Sequence, residues 1–240
     1  MGTKSSIMGK RVLSSSSWAT VDKFDSQTEE QIKKELILGF TEEGDLVFDP
    51  FLGNGETLYA CHNLNRNGIS LTDNNEKFHS ISEEIKRLES QLQLGEFGAK
   101  LKSKQLLLKS KLKDFDYLWQ QYKLPELSVV VSFLPNWKVL TNLSEQVYPG
   151  QGFTVMQFLE KVFTGVKEKL RSGTYLLILL ENEYQDGKYL NYSSEFIAMM
   201  QQHYQLKGEK VIGVTSKASN VLKNMLVTHK NLLVFRKIEI

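Results

Sequence analysis

A glycine-bearing polar loop is the segment of this sequence with the clearest capacity for chemistry. It runs Asp49-Pro50-Phe51-Leu52-Gly53-Asn54-Gly55-Glu56-Thr57 and follows the apolar run Leu46-Val47-Phe48. Glycines at positions 53 and 55 let the backbone turn tightly and approach a ligand, and a helix beginning after them offers free N–H groups. The Asp49 carboxylate can accept hydrogen bonds from a cationic or amino-bearing ligand. The loop is therefore a candidate cofactor site, although ordinary strand-to-helix turns carry the same pair of glycines.

Short apolar runs alternate with helical patterns along the chain, and this alternation predicts the fold. The apolar runs that predict strands are 46–48, 68–71, 127–131, 174–180, 211–214 and 232–235. Apolar residues at helical spacing predict helices over 27–40, from 56, around 81–92 and over 155–170. Near-continuous apolar strands between helices indicate an α/β, doubly wound fold with a mostly parallel sheet, and the last two strands suit an antiparallel hairpin. Such a sheet binds ligands beyond the carboxyl ends of its strands.

Four segments, taken in order, resemble the S-adenosylmethionine-dependent methyltransferases that act on the exocyclic amino groups of adenine or cytosine in DNA. VFDPFLGNGETL is similar to the family's DPF-x-G-x-G cofactor motif, and GISLTDNNEKF falls where the family has its second strand and ribose-binding acid. LSVVVSFLPNW falls where a strand ends in the family's catalytic tetrad, and HKNLLVFRK is similar to its closing strand. The segments extend from Leu46 to Lys237, and the resemblance implies a Rossmann-like methyltransferase fold.

The resemblance also implies S-adenosylmethionine as the cofactor and assigns residues to its pocket. The first motif supplies the cofactor-binding positions Asp49, Pro50, Phe51, Gly53, Asn54, Gly55 and Thr57. The family's ribose-binding acid aligns with Thr72, and Asp73 stands one residue later. Asp114 is the preferred acid near the adenine. The alternative is that Asp114 or Asp116 caps the helix that follows.

The part of the resemblance that should carry the reaction is degenerate. An exocyclic amino group is a poor nucleophile because its lone pair is delocalised into the ring. The family's (Asp/Asn/Ser)-Pro-Pro-(Tyr/Phe) tetrad accepts hydrogen bonds from that group and stacks on the flipped base. Here Phe133, Leu134, Pro135 and Asn136 stand at the catalytic tetrad, and loss of the acceptor predicts a rate about 10²–10³ lower. Ser132 or Asn136 can replace it only in a shifted loop, and a one-residue shift turns a strand side chain to the opposite face.

The most basic stretch of the chain lies between these motifs. We predict residues 80–113 to be a helical, basic insertion. Its lysines suit contact with a phosphate backbone, and a solvated surface would have the same composition. The candidate nucleic-acid contacts are Lys100, Lys102, Lys104, Lys109 and Lys111.

Three functions fit these motifs. The first, which we predict, is a DNA amino-methyltransferase domain that binds S-adenosylmethionine with impaired or absent transfer, as a structural or DNA-binding subunit beside an active methyltransferase or as a homodimer. The second is an active enzyme on DNA, or on RNA, with a rearranged catalytic loop. The third is a doubly wound domain for another nucleotide. Leu58 disfavours the third, because a dinucleotide fold would have a third glycine further along the loop.

The amino-acid composition and the length limit the class of protein and the number of domains. The chain has 240 residues, of which 41% are hydrophobic and 24% charged, and this excludes disordered and fibrous classes. The formal charge of +2 neither requires nor excludes nucleic acid. We predict a single domain over 1–240, with a flexible or irregular segment over 1–26.

A few further residues complete the expectations. Cys61 has no partner for an internal disulfide, and no apolar run reaches the about 20 residues that span a bilayer, so we expect a cytoplasmic protein without a membrane partner. Cys61 and His62 lack a second pair at metal-ligand spacing, so we expect no metal. Trp137 is either a base-stacking ring or a core residue.

Overall fold

The computed structural model describes residues 18–21, 24–95, 103–214 and 229–238. Its strands are β1 (Trp18–Val21), β2 (Leu46–Asp49), β3 (Asn67–Thr72), β4 (Gln105–Lys109), β5 (Leu127–Phe133), β6 (Leu170–Glu181), β7 (Glu183–Gln185), β8 (Lys188–Leu190), β9 (Tyr204–Val214) and β10 (His229–Lys237). Its helices are α1 (Ser26–Phe40), α2 (Glu56–Asn63), α3 (Asn75–Gly95), α4 (Phe115–Gln121), α5 (Trp137–Val147), α6 (Val155–Lys167) and α7 (Tyr192–Met200). A 3₁₀ turn, Leu112–Asp114, precedes α4.

Eight of the described strands form one sheet in the order β1-β9-β10-β6-β5-β2-β3-β4. Every neighbouring pair is parallel except the two that involve β10. The doubly wound, mostly parallel sheet and the antiparallel pairing of the last two strands are therefore confirmed. Strand order reverses at β2, which lies between β3 and β5. This reversal is where such a sheet binds ligands.

Helices cover both faces of the sheet, so β2 buries every residue and β5 buries all but Phe133. Along β5, Val129 and Val131 pack in the layer that contains α1 and α2. Val130 packs in the opposite layer, with α4, α6 and α7. The alternation of strand side chains thus builds two apolar cores from one continuous apolar run.

The prediction of a flexible or irregular N-terminal segment was wrong for part of that segment. We expected residues 1–26 to be irregular, but Trp18–Val21 forms β1, which pairs in parallel with β9. The side chain of Asp25 accepts a hydrogen bond from Thr28 N at 2.9 Å, so α1 begins at Ser26. Residues 1–17 lie outside the described ranges. A four-residue strand gives too short a pattern to identify without its partner.

The prediction of a helical insertion over 80–113 was also wrong in its second half. Helix α3 ends at Gly95, and Gln105–Lys109 forms β4, which pairs in parallel with β3 at the edge of the sheet. The three leucines at 106–108 favour a strand at this edge despite the flanking lysines.

The connection from 138 to 154, which carried no predicted element, contains α5. The side chain of Asn136 accepts a bond from Val139 N and begins this helix. Leu140 and Val147 are buried on its inner face. Among the described helices, none has the length and apolar character needed to cross a membrane.

Candidate cofactor and substrate site

A cavity of about 300 Å³ opens at the carboxyl edge of the sheet, where the strand order reverses. Its walls are the glycine loop (50–53), the end of β3 (71–74), the turn after β4 (110–112), and Pro135 with helix α5. These segments meet because β5, β2, β3 and β4 are parallel neighbours, so the connections that follow them emerge on one side. The sequence motifs that are distant along the chain therefore converge on one pocket.

The candidate residues divide into those that line this cavity and those that lie behind its wall. The lining candidates are Pro50, Phe51, Gly53, Thr72, Asp73, Lys111 and Pro135. Asp49, Asn54, Gly55 and Thr57 are absent from the lining. Asp114 instead lines a shallower groove beside the cavity, which it shares with Asp73, Lys109 and Lys111.

Asp49 holds the glycine loop from behind. Its carboxylate is 1% exposed and accepts hydrogen bonds from Thr57 Oγ1 at 2.5 Å and from Phe51 N at 3.1 Å. Both bonds connect the end of β2 to the residues that follow it. The carboxylate at this position therefore fixes the loop's conformation.

A buried lysine, which the sequence analysis missed, lies beneath the same loop. Lys33 of α1 is 2% exposed, and its Nζ lies 3.5 Å from Asp49 Oδ2 and 3.5 Å from Glu56 Oε2. Glu56 in turn accepts bonds from the backbone and side-chain nitrogens of Asn54, at 3.0 and 3.2 Å. Two buried carboxylates thus share one ammonium as their counter-charge. The signal in the sequence was a lysine directly after Ile32 on the apolar face of α1.

The two glycines are required by their backbone and by their neighbours. Gly53 has φ +62°, and a Cβ there would lie 2.8 Å from Glu56 Oε2. Gly55 has φ +93°, and a Cβ there would lie 2.8 Å from the ring of Tyr59. Burial, with the charges of Glu84 and Glu56, raises the pKa of Tyr59 to about 12, so this ring stays a neutral phenol. Because Gly53 lines the cavity and has no side chain, the loop presents bare backbone there.

The end of β3 supplies polar groups to the cavity. Thr72 is its last residue, and Thr72 Oγ1 accepts a bond from Asn74 N at 3.2 Å. Asp73 is exposed at the cavity wall. Lys77 of α3, another residue missed from the sequence, donates from Nζ to Gly53 O at 3.0 Å. That bond ties the start of α3 to the glycine loop.

The first tetrad position turns away from the cavity. Phe133 packs in the layer that contains α1, and Lys33 Nζ lies 4.9 Å from the centre of its ring. Ser132 points to the opposite layer, is fully buried, and its Oγ has no hydrogen-bond partner in the described part of the chain. Leu134 N donates to Leu179 O at 2.8 Å, which fixes the register of the connection.

Asn136 begins helix α5 and does not take the place of the family's stacking aromatic. Its Oδ1 accepts a hydrogen bond from Val139 N at 3.0 Å. An asparagine at a helix N-cap has this role in many proteins. The polar side chain at 136 is thus already engaged as a cap.

Trp137 packs against Tyr192, the first residue of α7. Its indole stacks on the ring of Tyr192, with centroids 3.7 Å apart and planes at 10°. Trp137 N donates to Glu183 Oε1 at 3.0 Å. Glu183 begins β7, which the sequence analysis did not predict. These contacts join the connection after β5 to the connection after β6.

Neither Asp114 nor Asp116 caps α4 through its side chain. Asp114 occupies the N-cap position of α4, but its side chain makes no capping bond. Ser110 Oγ donates to Asp114 Oδ2 at 3.4 Å instead. Asp116 lies inside α4 and pairs with Lys169 at 3.1 Å.

The candidate lysines are separated along β4. Lys104 precedes the strand and Lys109 ends it, so about 16 Å separates them at the usual strand rise. Lys109 and Lys111 line the groove beside the cavity. Lys100 and Lys102 lie outside the described residues.

Cys61 and His62 are packed inside α2. Cys61 is fully buried and His62 is 5% exposed. Burial raises the pKa of the Cys61 thiol and lowers the pKa of His62, so both stay neutral near pH 7. Within the described ranges, no group of three His, Cys, Asp or Glu side chains is placed to hold a metal ion.

Comparison with known sequences finds a family match near the N-terminus and one curated relative. Residues 5–84 match the profile of a family described as DNA methylase. A curated relative, the type II methyltransferase M.HpaI of Haemophilus parainfluenzae, is 37% identical over 60 residues. That alignment covers 25% of this chain and 19% of the relative, so the chain matches less than a fifth of that enzyme.

Comparison with solved structures concerns the fold alone. An rRNA methylase from Streptococcus thermophilus has a TM-score of 0.52 and 12% identity, over 87% of this chain and 96% of that chain. A precorrin-6y C5,15-methyltransferase from Geobacter metallireducens has a TM-score of 0.55 and 13% identity, over 92% and 94%. A Streptococcus mutans protein described as a methyltransferase, solved in complex with SAH, has a TM-score of 0.51 and 12% identity, over 90% and 100%.

Proposed function

We propose that this chain, whose residues 5–84 match the DNA methylase family, binds S-adenosylmethionine and DNA but transfers methyl groups poorly. The cavity carries the proposal, because it brings the glycine loop, Asp73 and Pro135 together at the carboxyl edge of the sheet. The domain would act as a structural or DNA-binding subunit beside an active methyltransferase, or as a homodimer. RNA is the alternative nucleic acid.

The residues of the cavity fit this cofactor. Ligand sites have volumes from about 300 Å³ upward, with apolar walls and a few placed polar groups. Leu71, Leu143 and Val147 supply apolar wall, and Thr72 and Asp73 supply polar groups. Gly53 lines the cavity and has no side chain, so the loop backbone can approach a ligand closely there. When bound, S-adenosylmethionine supplies an electrophilic methyl group.

We assign a role to each part of the wall. The Asp73 carboxylate accepts hydrogen bonds from the ribose hydroxyls, and Asp114 in the adjoining groove faces the adenine amino group. Lys33 holds Asp49 and Glu56, and through them the loop, in one conformation. These roles together would give the cofactor half of the site its binding groups.

The positions of the acceptor candidates support the proposal of impaired transfer. Phe133 accepts no useful hydrogen bond and packs against Lys33. Ser132 is buried in the opposite layer, and Asn136 Oδ1 is engaged by Val139 N. None of the three offers a free acceptor at the cavity. Loss of one preorganised acceptor costs about 10²–10³ in rate.

The proposed contact with DNA rests on the positions of two lysines. Lys109 and Lys111 lie at the mouth of the site, in the groove that adjoins the cavity. A phosphate backbone crossing this groove would bring a nucleotide towards Pro135. Lys104 lies at the far end of β4 and is less well placed.

Transfer of a labelled methyl group to DNA and to RNA, at saturating S-adenosylmethionine, tests the proposal. We expect transfer close to background from a chain that binds the cofactor. Phe133→Ser should recover little, because the new hydroxyl would face the Lys33 ammonium. Robust transfer by the unmodified chain would contradict impairment and favour an active enzyme with a rearranged loop.

A further inference from the structure

A second cavity, of about 610 Å³, opens at the amino edge of the sheet and has no role in the proposed function. Its walls are Gln201 at the end of α7, the start of β9 (204–206) and the end of β10 (236–238). Strand β10 ends beside the start of β6, where Arg236 pairs with Tyr175. This amino-edge cavity therefore lies at the opposite edge of the sheet from the cofactor cavity, and the two are separate.

The polar part of the amino-edge cavity carries positive charge. Arg236 and Lys237 are half-buried in its wall, Gln201 and Gln205 are its exposed amides, and no carboxylate is among the described residues that line it. Within the described ranges, neither cation forms an ion pair. Two half-buried positive charges that share one cavity without a counter-charge favour an anionic ligand.

Backbone carbonyls near the start of β6 hold both cations in place. Arg236 Nε donates to Gly173 O at 3.1 Å, and Lys237 Nζ donates to Leu170 O at 2.5 Å. A guanidinium has five N–H donors and an ammonium has three. In the described structure, the two terminal nitrogens of Arg236 and the remaining hydrogens of the Lys237 ammonium are therefore available to a ligand. The planar fork of an arginine matches two oxygens of one phosphate group.

Gln205 adds a neutral donor beside the guanidinium. It faces Arg236 across the β9–β10 pair. Gln205 Oε1 accepts a hydrogen bond from Lys207 Nζ at 3.3 Å, so its NH₂ group is left to donate. The polar wall thus offers hydrogen-bond donors of three kinds, which suits a ligand group that only accepts.

The rest of the wall is apolar and supplies no further charge. It consists of Leu206, Ile238 and the ring of Tyr204. The Tyr204 hydroxyl donates to Phe163 O at 2.7 Å, and burial, with the charge of Glu168, raises the pKa of Tyr204, so the phenol stays neutral. Cavities of about 300–1,000 Å³ hold small organic ligands, whereas an inorganic anion would leave most of this one empty.

We propose that the amino-edge cavity binds a phosphomonoester of about nucleotide size. Arg236, Lys237 and the Gln205 amide donate to the phosphate oxygens, and the remainder of the molecule lies against the apolar wall. This inference goes beyond the proposed function. It requires neither cofactor binding nor methyl transfer.

Titration calorimetry at constant ionic strength, with three matched ligands, tests the inference. Uridine monophosphate is the probe, because it carries a phosphomonoester without the adenine of the cofactor. Uridine lacks the phosphate, and inorganic phosphate lacks the nucleoside. We expect uridine monophosphate to bind about 10-fold or more tightly than uridine, because charged hydrogen bonds are lost with the phosphate. It should bind about 5-fold or more tightly than inorganic phosphate, because the nucleoside covers the apolar wall.

Two variants place the ligand in this cavity. Arg236→Gln should weaken binding of uridine monophosphate about 10-fold or more. Gln205→Glu puts a carboxylate opposite Arg236 at an exposed position and should weaken binding by a similar factor, because it repels the phosphate. This second variant keeps both cations and their bonds to β6, so it remains a test if Arg236→Gln does not fold. Lys188→Gln, an exposed lysine of β8, is the control and should bind like the unmodified chain.

Absence of binding by uridine monophosphate would overturn the inference, and so would equal affinity for uridine monophosphate and uridine. Unchanged affinity in Gln205→Glu would place the ligand elsewhere on the chain and would also overturn it. Equal affinity for uridine monophosphate and inorganic phosphate would contradict a ligand of nucleotide size.

Discussion

The ammonium of Lys33 lies 4.9 Å from the centre of the Phe133 ring, inside the protein. The same ammonium lies 3.5 Å from Asp49 and 3.5 Å from Glu56. One buried cation therefore contacts the glycine loop and the position where the family has its acceptor. Position 133 lies in the core beneath the loop, and this explains why an apolar ring is tolerated there.

Removal of that cation should destabilise the fold strongly. Lys33→Met leaves two carboxylates buried without a counter-charge, and loss of one partner of a buried pair costs about 3–5 kcal/mol. Lys34→Met is the matched control, because Lys34 pairs with Glu30 on the surface of the same helix and such pairs contribute about 0–1 kcal/mol. Urea unfolding of both variants measures the difference. Equal stabilities would show that the triad contributes nothing beyond a surface pair.

The glycine loop gives a second stability prediction. Gly55→Ala places a methyl group against Tyr59 and Ile81 at positive φ, whereas Gly150 has φ +73° and open space around it. Strain at positive φ costs about 1–2 kcal/mol in both variants. Overpacking adds about 1–3 kcal/mol at Gly55 alone. Chemical denaturation should therefore rank Gly55→Ala below Gly150→Ala, and the opposite order would mean that the loop accommodates a side chain.

A buried carboxyl makes stability depend on pH. Burial raises the pKa of Glu35 to about 7, although a hydrogen bond from Gln31 and the charge of Lys210 oppose the shift. The folded state therefore binds more protons than the unfolded state between pH 4.5 and 7, and stability falls as pH rises through this range. Relative to Glu35→Gln, the unmodified chain should lose about 2 kcal/mol between pH 5 and 8. Urea unfolding across this range measures the loss, and parallel pH profiles for the two proteins would refute it.

The position of the lysines predicts an uneven contribution to DNA binding. Lys109→Gln with Lys111→Gln should reduce the salt dependence of binding by about 0.7–0.9 per lost phosphate contact. Lys104→Gln, at the other end of β4, should leave the slope close to that of the unmodified chain. Affinities at several salt concentrations give these slopes. If Lys104→Gln flattened the slope as much as the double variant, the DNA path would not follow the groove.

Much of the fold could be predicted because the signals were local. Continuous apolar runs gave β2, β5 and β6, and helical spacing gave α1 and α6. The cofactor loop was equally readable, since two glycines between a strand and a helix define their own geometry. Elements with weak local signals were missed. Strand β1 has four residues and depends on β9, and α5 begins from a cap at Asn136 that was read as part of a loop.

The site was predictable only in part, because its contacts join distant segments. Lys33 stands on the apolar face of α1, but the sequence does not show that Asp49 and Glu56 are its partners. Glu183 stands in an ordinary polar stretch, and only the structure shows its bond to Trp137, 46 residues away. Tertiary neighbours, rather than residue type, decide both cases.

Titration of the chain with S-adenosylmethionine in a calorimeter tests the central claim most directly. We predict saturable heat from one site in the unmodified chain. Asp73→Ala should bind about 10-fold or more weakly, because it removes a charged hydrogen-bond acceptor from the cavity wall. Asp116→Ala, whose side chain pairs with Lys169 outside the cavity, should match the unmodified chain. Absence of heat from the unmodified chain, or equal affinities for all three proteins, would contradict the account.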